Sequence, residues 1–191
     1  MRRRRRPSRL PFARRRLPLL LAVLLLGAGG LAALDNAGAV RWPASLRGPA
    51  DHSPDLETFD AKTVRVERVI DGDTVEIRLG DRMEKVRMIG IDSPEMNHGK
   101  SDPPERGAVE AGEWLRQRAL HKTITLRLQP GNTRDRYQRM LAYLYDGDAN
   151  INLESVRLGY SRAETRYKHP MLKEFEQAEA QARRDRRGIW K

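Results

Sequence analysis

The sequence contains no cysteine, which excludes a disulfide framework, a thiolate nucleophile and a zinc-thiolate site. Its four histidines show no metal-ligand spacing, and we expect surface or loop positions for His52, His98, His121 and His169. The sequence also lacks a strong excess of one charge beyond its first 39 residues. Those residues hold nine of the 37 basic and one of the 26 acidic side chains, which leaves 28 basic and 25 acidic side chains. The formal charge of +11 therefore belongs mostly to the N-terminal leader.

Residues 1–39 have the pattern of an export signal. Arginines dominate residues 1–16, residues 17–34 form an apolar run, and Ala37-Gly38-Ala39 is an acceptable cleavage motif. We expect an exported protein, periplasmic or extracellular, with a cleaved leader. The alternative is that residues 17–34 remain as a membrane anchor, because about twenty residues span a bilayer. The flanking arginines would place the domain outside the cytoplasm in either case.

The rest of the chain divides into a linker and one domain. Residues 40–61 contain Pro43, Pro49 and Pro54 without sustained periodicity, which predicts a flexible linker. The folded domain is expected over residues 62–191. Its length suits a single domain with a modest core.

Five short segments of the domain show the alternation of a half-buried strand. They are Thr63–Val69, Thr74–Leu79, Met83–Ile91, Thr123–Leu128 and Met140–Tyr145. Three helices are predicted: one over Glu105–His121, a short one capped by Asn152 and ending at Gly159, and one that opens at Pro170 and closes at Gly188. A helix separates only one pair of successive strands, which argues against a parallel sheet. The predicted fold class is α+β, mainly β: a five-stranded OB-fold barrel with about three helices.

Carboxylates cluster at two strand ends. Asp71-Gly72-Asp73 lies between the first two predicted strands, and in extended chain residues i and i+2 point to the same side. By itself this motif is also typical of a turn. Asp92 and Glu95 form a second cluster after the third strand, and together the oxygens would suit calcium. The spacing of an EF-hand loop is absent.

Arginines accompany both acidic clusters. Arg87 lies between Val86 and Met88 in the third strand, so its guanidinium is expected on the face opposite the core. Arg139 directly precedes the fifth strand, in a charged loop. Each could be an ordinary ion-paired surface residue. Two arginines that converge on a carboxylate site would instead match the oxygens of a phosphate.

Four motifs together resemble the staphylococcal nuclease (thermonuclease) family over nearly all of residues 62–191. They are Val69-Ile70-Asp71-Gly72-Asp73-Thr74, the stretch from Val86 to Glu95, the stretch from Asp135 to Tyr143, and Gly188-Ile189-Trp190. The resemblance implies calcium-dependent hydrolysis of DNA and RNA on an oligonucleotide-binding barrel. It also implies roles for individual residues by their matched positions.

In this resemblance, Asp73, Asp92 and the backbone carbonyl of Ser93 would ligate Ca²⁺, with Asp71 in the outer shell. Glu95 would orient or deprotonate the attacking water. Arg87 and Arg139 would hold the scissile phosphate, and Arg139 would also assist the leaving oxygen. The substrate-binding positions implied are Arg136 and Tyr137 for a terminal phosphate and Tyr167 along the base or sugar.

The sequence departs from the family pattern at three of these places. Ser93 replaces the usual threonine, Gln138 stands where glycine is common, and Thr165 stands where an aromatic residue often lines the base site. The last two changes affect the expected substrate preference and affinity more than the reaction. Little sequence selectivity is expected from shallow contacts on a barrel face, with single strands favoured.

The sequence therefore predicts an exported, calcium-dependent, sugar-nonspecific nuclease that acts as a monomer, and the resemblance implies products with 3′-phosphate ends. The alternative is a non-catalytic nucleic-acid-binding or scaffold module of the same fold. Such modules normally lose the acids or arginines, whereas Asp73, Asp92, Glu95, Arg87 and Arg139 are all present here.

Overall fold

A computed structural model describes residues 54–97, 99 and 102–191. The expected leader, residues 40–53 of the expected linker, His52 and His98 lie outside this part of the chain. Within it, no helix is both long and apolar enough to cross a bilayer.

Eight strands and four helices make up the described chain. The strands are β1 (Thr63–Val69), β2 (Thr74–Leu79), β3 (Arg82–Met88), β4 (Ile91–Asp92), β5 (Thr123–Leu128), β6 (Met140–Asp146), β7 (Ala149–Asn150) and β8 (Arg162–Ala163). The helices are α1 (Pro54–Phe59), α2 (Ala108–Ala119), α3 (Ile151–Leu158) and α4 (Leu172–Arg184), and a 3-10 turn follows at Gly188–Trp190.

Five of these strands close into a barrel. The strands β1, β2 and β3 form an antiparallel meander, β5 pairs with β1, and β6 pairs antiparallel with β5. Closure comes from a parallel pairing of β3 with β6, in which Val86 lies opposite Met140 and Arg87 opposite Leu141. The predicted α+β fold with a five-stranded barrel is therefore confirmed.

Alternating side chains of the strands fill the barrel. In β1, Val64 and Val66 are buried, and a register shift between Val66 and Arg68 allows Val69 rather than Arg68 to point inward. In β3, Val86 and Met88 are buried while Arg87 is half-buried, as its position between two apolar residues predicts. The arginine is therefore placed on the outer surface of the barrel.

The third predicted strand is divided at Gly90. The prediction of one strand over Met83–Ile91 is wrong, because Gly90 has φ 78° and separates β3 from β4. A Cβ atom at Gly90 would lie 2.7 Å from Cε1 of His169. His169 lies on the loop between β8 and α4, in agreement with the expected surface or loop position, but it is buried there, and its ring nitrogen Nδ1 lies 2.7 Å from the Tyr143 hydroxyl. His121 is exposed.

The folded domain includes residues that precede its predicted boundary. Helix α1 lies in the expected linker and starts at a proline, whose fixed φ suits the first helical position. Phe59 is buried in the core, and the Ala61 N–H donates to the Leu126 carbonyl at 2.9 Å. Pro54–Phe59 is thus part of the folded domain, and the expected linker is shortened by this helix.

All three predicted helices have boundaries that differ in the structure: α2 is shorter than the predicted Glu105–His121, and α4 begins at Leu172 rather than Pro170. The cap of α3 is Asn150, whose side chain accepts from the Leu153 N–H, and the prediction that Asn152 is the cap is wrong. Asn152 is instead fully buried, where its amide accepts from the Leu144 N–H at 3.0 Å and donates to the Ile89 carbonyl at 2.9 Å. The last helix ends at Arg184, before the predicted stop at Gly188.

Candidate active site

The segment between β1 and β2 is a tight turn rather than extended chain. The Asp71 carboxylate accepts the backbone N–H of Asp73 through Oδ1 at 3.0 Å, and the Asp71 side chain also lies close enough to the Asp73 carboxyl to raise its pKa. Gly72 is required by space, since a Cβ there would lie 2.7 Å from Oγ of Ser93 and 2.8 Å from Cβ of Ala111. The turn therefore brings Asp73 against the chain at Ser93.

Asp73 is a buried carboxylate with several partners. Its Oδ1 accepts the Thr74 hydroxyl at 3.0 Å, and its Oδ2 accepts the backbone N–H of Ser93 at 2.9 Å. Burial raises the pKa of Asp73 to about 7, the positive charge of Arg87 opposes this rise, and the negative charge of Asp71 adds to it. The site consequently holds a carboxylate whose charge the surrounding protein only partly compensates.

Arg87 reaches from β3 to two of the acidic residues. Its Nη1 lies 2.5 Å from Oδ2 of Asp73, and its Nη2 lies 3.7 Å from Oδ1 of Asp92. Nη1 is buried against the Asp73 carboxylate, and 17% of the Arg87 side chain is exposed. Since a guanidinium carries five N–H donors, Arg87 has donors beyond these two contacts that could bind a further oxygen atom.

Asp92 and Ser93 are positioned by a short antiparallel pairing of β4 with β8, in which Asp92 lies opposite Arg162. Asp92 keeps 41% of its side chain exposed. The Ser93 hydroxyl is buried and lies 2.5 Å from that of Ser161, which lies 2.7 Å from that of Ser155 in α3. A row of three hydroxyls therefore ties the acidic loop to the helix behind it. Sequence reasoning missed the two partner serines, which carry no local signal.

Glu95 follows on the loop after Ser93 and is exposed. Its backbone N–H donates to the Glu105 carboxylate at 3.2 Å, and its carbonyl accepts the Glu105 N–H at 2.9 Å. The loop is thereby closed by backbone contacts while the Glu95 side chain faces solvent.

Residues 133–139, the 133–139 loop, carry three of the predicted site residues. Asp135 organises the loop: its Oδ1 accepts the N–H groups of Tyr137 and Arg139 at 2.8 and 3.0 Å, and its Oδ2 pairs with the Arg139 guanidinium at 2.7 Å. The Arg136 guanidinium lies 4.7 Å from the centre of the Tyr137 ring, which is 64% exposed. Arg139 directly precedes Met140, the residue opposite Val86, so the barrel closure brings the loop beside the strand of Arg87.

Tyr167 lies on an exposed loop after β8, with 69% of its surface open to solvent. Two nearby charges were missed by sequence reasoning, Glu164 and Arg166, whose side chains form an ion pair. Hydrogen bonds from Arg166 are the main cause of the lowered pKa of Glu164, and Arg87 lowers it further. These residues extend the charged surface around Arg87 and Asp92.

Among the residues that the structure describes, no three His, Cys, Asp or Glu side chains are grouped so as to hold a metal ion. The guanidinium of Arg87 contacts both Asp73 and Asp92, and so lies between their carboxylates. The types of ligand atom nevertheless suit a hard divalent cation, because carboxylate and backbone oxygens are available to coordinate it. Because the surrounding protein only partly compensates the negative charge of Asp73, this carboxylate would attract a divalent cation.

Comparisons with known proteins identify a family model and several relatives that are similar to this chain. The family model described as "Staphylococcal nuclease homologue" matches residues 85–191. A thermonuclease of Staphylococcus hyicus is 30% identical over 139 residues, which is 72% of this chain and 81% of that protein. A protein of Escherichia coli O157:H7 described as an uncharacterized endonuclease is 32% identical over 130 residues, 66% of this chain and 75% of its own length. An uncharacterized protein of Bacillus anthracis is 30% identical over 137 residues, 71% of this chain, and the match spans 62% of that protein.

Proposed function

Because this chain belongs to the staphylococcal nuclease family, we propose that it is a calcium-dependent, sugar-nonspecific nuclease that hydrolyses phosphodiester bonds of DNA and RNA. The observation that carries the proposal is the arrangement of Arg87. Its guanidinium, with 17% of the side chain exposed, contacts the carboxylates of Asp73 and Asp92 and has N–H donors beyond these two contacts. An arginine donor held beside carboxylates suits a phosphate oxygen.

In this proposal Asp73, Asp92 and the backbone carbonyl of Ser93 hold Ca²⁺, and Asp71 supports them by fixing the turn before Asp73. The ion supplies positive charge to the phosphate and a template for the reacting oxygens when it is bound. The Ser93 N–H and the Thr74 hydroxyl, which both donate to Asp73, keep the carboxylate in place. Replacement of threonine by serine at position 93 leaves the proposed backbone ligand unchanged.

The remaining roles concern the attacking water and the phosphate. Glu95, exposed on its loop, accepts a proton from the water as the water oxygen bonds to phosphorus. Arg87 and Arg139 donate to the non-bridging oxygens, whose negative charge grows in the transition state. The bond from phosphorus to the 5′ oxygen then breaks, Arg139 donates a hydrogen bond to the departing oxygen, and a proton from solvent water completes the 5′-hydroxyl. The products are a 3′-phosphate and a 5′-hydroxyl.

Substrate contacts outside the scissile phosphate are proposed for three exposed side chains. Arg136 and Tyr137 on the 133–139 loop would bind a terminal phosphate, and Tyr167 would lie along a base or sugar. Stacking on exposed aromatic rings tolerates any base, which is consistent with low sequence selectivity. Export through the leader, as a cleaved signal or as an anchor over residues 17–34, and action as a monomer are part of the same proposal.

The first experiment measures degradation of single-stranded DNA by the purified protein, with Ca²⁺ and with a chelator. We expect cleavage with Ca²⁺, 3′-phosphate ends on the products, and no cleavage in chelator. Undiminished activity in chelator would overturn the calcium assignment.

A second experiment tests the proposed proton acceptor. The substitution Glu95→Gln is expected to reduce kcat at least about a hundredfold without changing oligonucleotide affinity, because the amide cannot take a proton. Glu113→Gln, at an exposed position on α2, is the matched control. If the wild-type protein binds oligonucleotides and never cleaves them, the non-catalytic module is the correct alternative.

A further inference from the structure

The 133–139 loop carries Arg136, Tyr137 and Arg139, yet its backbone includes an unfavourable conformation. Gln138 has φ 63°, in the left-handed region that only glycine adopts freely. Asp135 organises the loop from within, through the N–H groups of Tyr137 and Arg139. These internal bonds do not fix the loop to the barrel, so the position of the loop depends on contacts with other elements.

The Thr133 hydroxyl supplies one such contact by donating to Oδ2 of Asp55 at 3.1 Å, and Arg134 supplies further ones through its whole guanidinium. Its Nε and Nη2 donate to the two carboxylate oxygens of Asp55 in α1 at 2.7 and 2.8 Å. Its Nη1 donates to Glu84 in β3 at 3.0 Å and to the backbone carbonyl of Gln138 at 3.0 Å. A single side chain therefore joins the helix, the barrel and the strained residue of the loop.

Both carboxylate partners are themselves anchored. Helix α1 is held by the buried ring of Phe59 and by Asp60, whose Oδ1 accepts the Leu128 N–H of β5 at 2.9 Å. Glu84 lies in β3 opposite Ile77 of β2. The arginine is thus fixed between two rigid elements, and its three acceptors restrict it to one geometry.

These ion pairs are partly shielded from water. The exposed fractions of the side chains are 25% for Arg134, 18% for Asp55 and 24% for Glu84. The hydrogen bond to Arg134 lowers the pKa of Asp55, so the pair is charged at neutral pH. Solvent-exposed pairs contribute little, but a bidentate pair within a network is the exception.

We propose that Asp55 and Arg134 are positioning residues: through Arg134, helix α1 holds the 133–139 loop in the conformation that binds nucleic-acid phosphate. The inference rests on the proposed function for the identity of the ligand. It assigns a role to Pro54–Phe59, a segment that the sequence placed in a linker. Neither Asp55 nor Arg134 touches the reacting atoms in this account.

Hydrogen exchange of the full-length protein tests the loop directly. In Asp55→Asn, the backbone N–H groups of Tyr137 and Arg139 are expected to exchange about tenfold faster, since losing the carboxylate releases Arg134 from one of its anchors. Affinity for a 5′-phosphorylated single-stranded octanucleotide, measured in chelator to prevent cleavage, is expected to fall about tenfold. Arg134→Lys is expected to give the same faster exchange and the same loss of affinity. Its ammonium group keeps the positive charge but cannot make the bidentate hydrogen bonds of the guanidinium.

Asp146→Asn is the matched control. Arg118 also bridges two carboxylates, Asp146 and Glu154, and losing Asp146 leaves one of them, just as Asp55→Asn leaves Glu84. The control is expected to leave both readouts of the loop unchanged.

Unchanged exchange in Asp55→Asn and Arg134→Lys would overturn the inference, as would equal acceleration in the control. Faster exchange with unchanged octanucleotide affinity would overturn the positioning role. Cleavage by the wild-type protein is a separate measurement, so failure of the proposed nuclease activity is distinguishable from failure of this inference.

Discussion

Replacing Asp73 by asparagine is expected to stabilise the calcium-free protein at neutral and alkaline pH while removing its response to calcium. Asparagine has nearly the same shape, and its oxygen can still accept the Ser93 N–H while its amide donates to the Thr74 hydroxyl, which can rotate to accept. The substitution therefore removes a charge with little change in packing. It isolates the free energy of holding that charge in the folded protein.

The magnitude follows from the pKa of the carboxyl. Burial raises the pKa of Asp73 from 3.8 to about 7, and each pKa unit corresponds to about 1.4 kcal/mol. The folded protein binds more protons than the unfolded chain between these two values, so the free energy of unfolding falls as the pH rises from about 4 to about 7. Well above pH 7 the ionised carboxylate destabilises the calcium-free fold by about 4 kcal/mol, and asparagine avoids this destabilisation.

Urea unfolding in chelator at pH 4, 5.5, 7 and 8.5 checks the prediction. The stability gain of the variant over the wild type should be near zero at pH 4 and complete above pH 7. Added Ca²⁺ should then stabilise the wild type and not the variant. Asp92→Asn is the control, because its side chain is 41% exposed and its charge should change stability by less than about 1 kcal/mol. A variant that is less stable than the wild type at pH 8.5, or a gain that does not depend on pH, would refute the reasoning.

Three further predictions concern the backbone and a buried histidine. Gly72→Ala should lower the free energy of unfolding by about 1–3 kcal/mol and abolish cleavage, since its Cβ would overlap Ser93; a wild-type urea midpoint would contradict this. Gln138→Gly should stabilise the protein by up to about 1 kcal/mol, because relief of the left-handed conformation outweighs the added chain entropy; a lower thermal midpoint would count against it. Burial lowers the pKa of His169, so its protonation should reduce the free energy of unfolding as the pH drops below 6.5. His169→Asn should therefore lose less stability than the wild type on acidification from pH 7.5 to 5. Equal losses in the two proteins would show that His169 is not responsible.

Strand periodicity carried most of the fold prediction. The alternation in β2 and β5 reports directly which side chains enter the core, so both strands were predicted with the bounds that the structure shows. The face on which Arg87 lies followed from its neighbours Val86 and Met88 in the same way. Local sequence patterns predict burial correctly where successive side chains alternate between core and solvent, as they do along a strand.

The remaining differences arise from contacts between distant parts of the chain. Nothing near Phe59 indicates that its ring enters the core, so α1 was placed in a linker. Asn150 and Asn152 are equally good caps by residue type, and only the barrel determines that Asn152 meets the Leu144 N–H. In the candidate site, the acids and arginines could be identified from the sequence, but the geometry of Arg87 between Asp73 and Asp92 could not.

The parallel pairing of β3 with β6 also has a consequence for the order of events in folding. It joins Val86 to Met140, and it is the long-range contact that brings Arg87 near the loop of Arg139. Contacts of such sequence separation form slowly because a long segment must first be closed. In a folding intermediate with the hairpin and helices formed but the barrel still open, Arg87 and Arg139 would be far apart. Recovery of the proposed cleavage activity during refolding should therefore lag behind recovery of circular dichroism, because Arg87 and the loop of Arg139 come together only when the last strands pair.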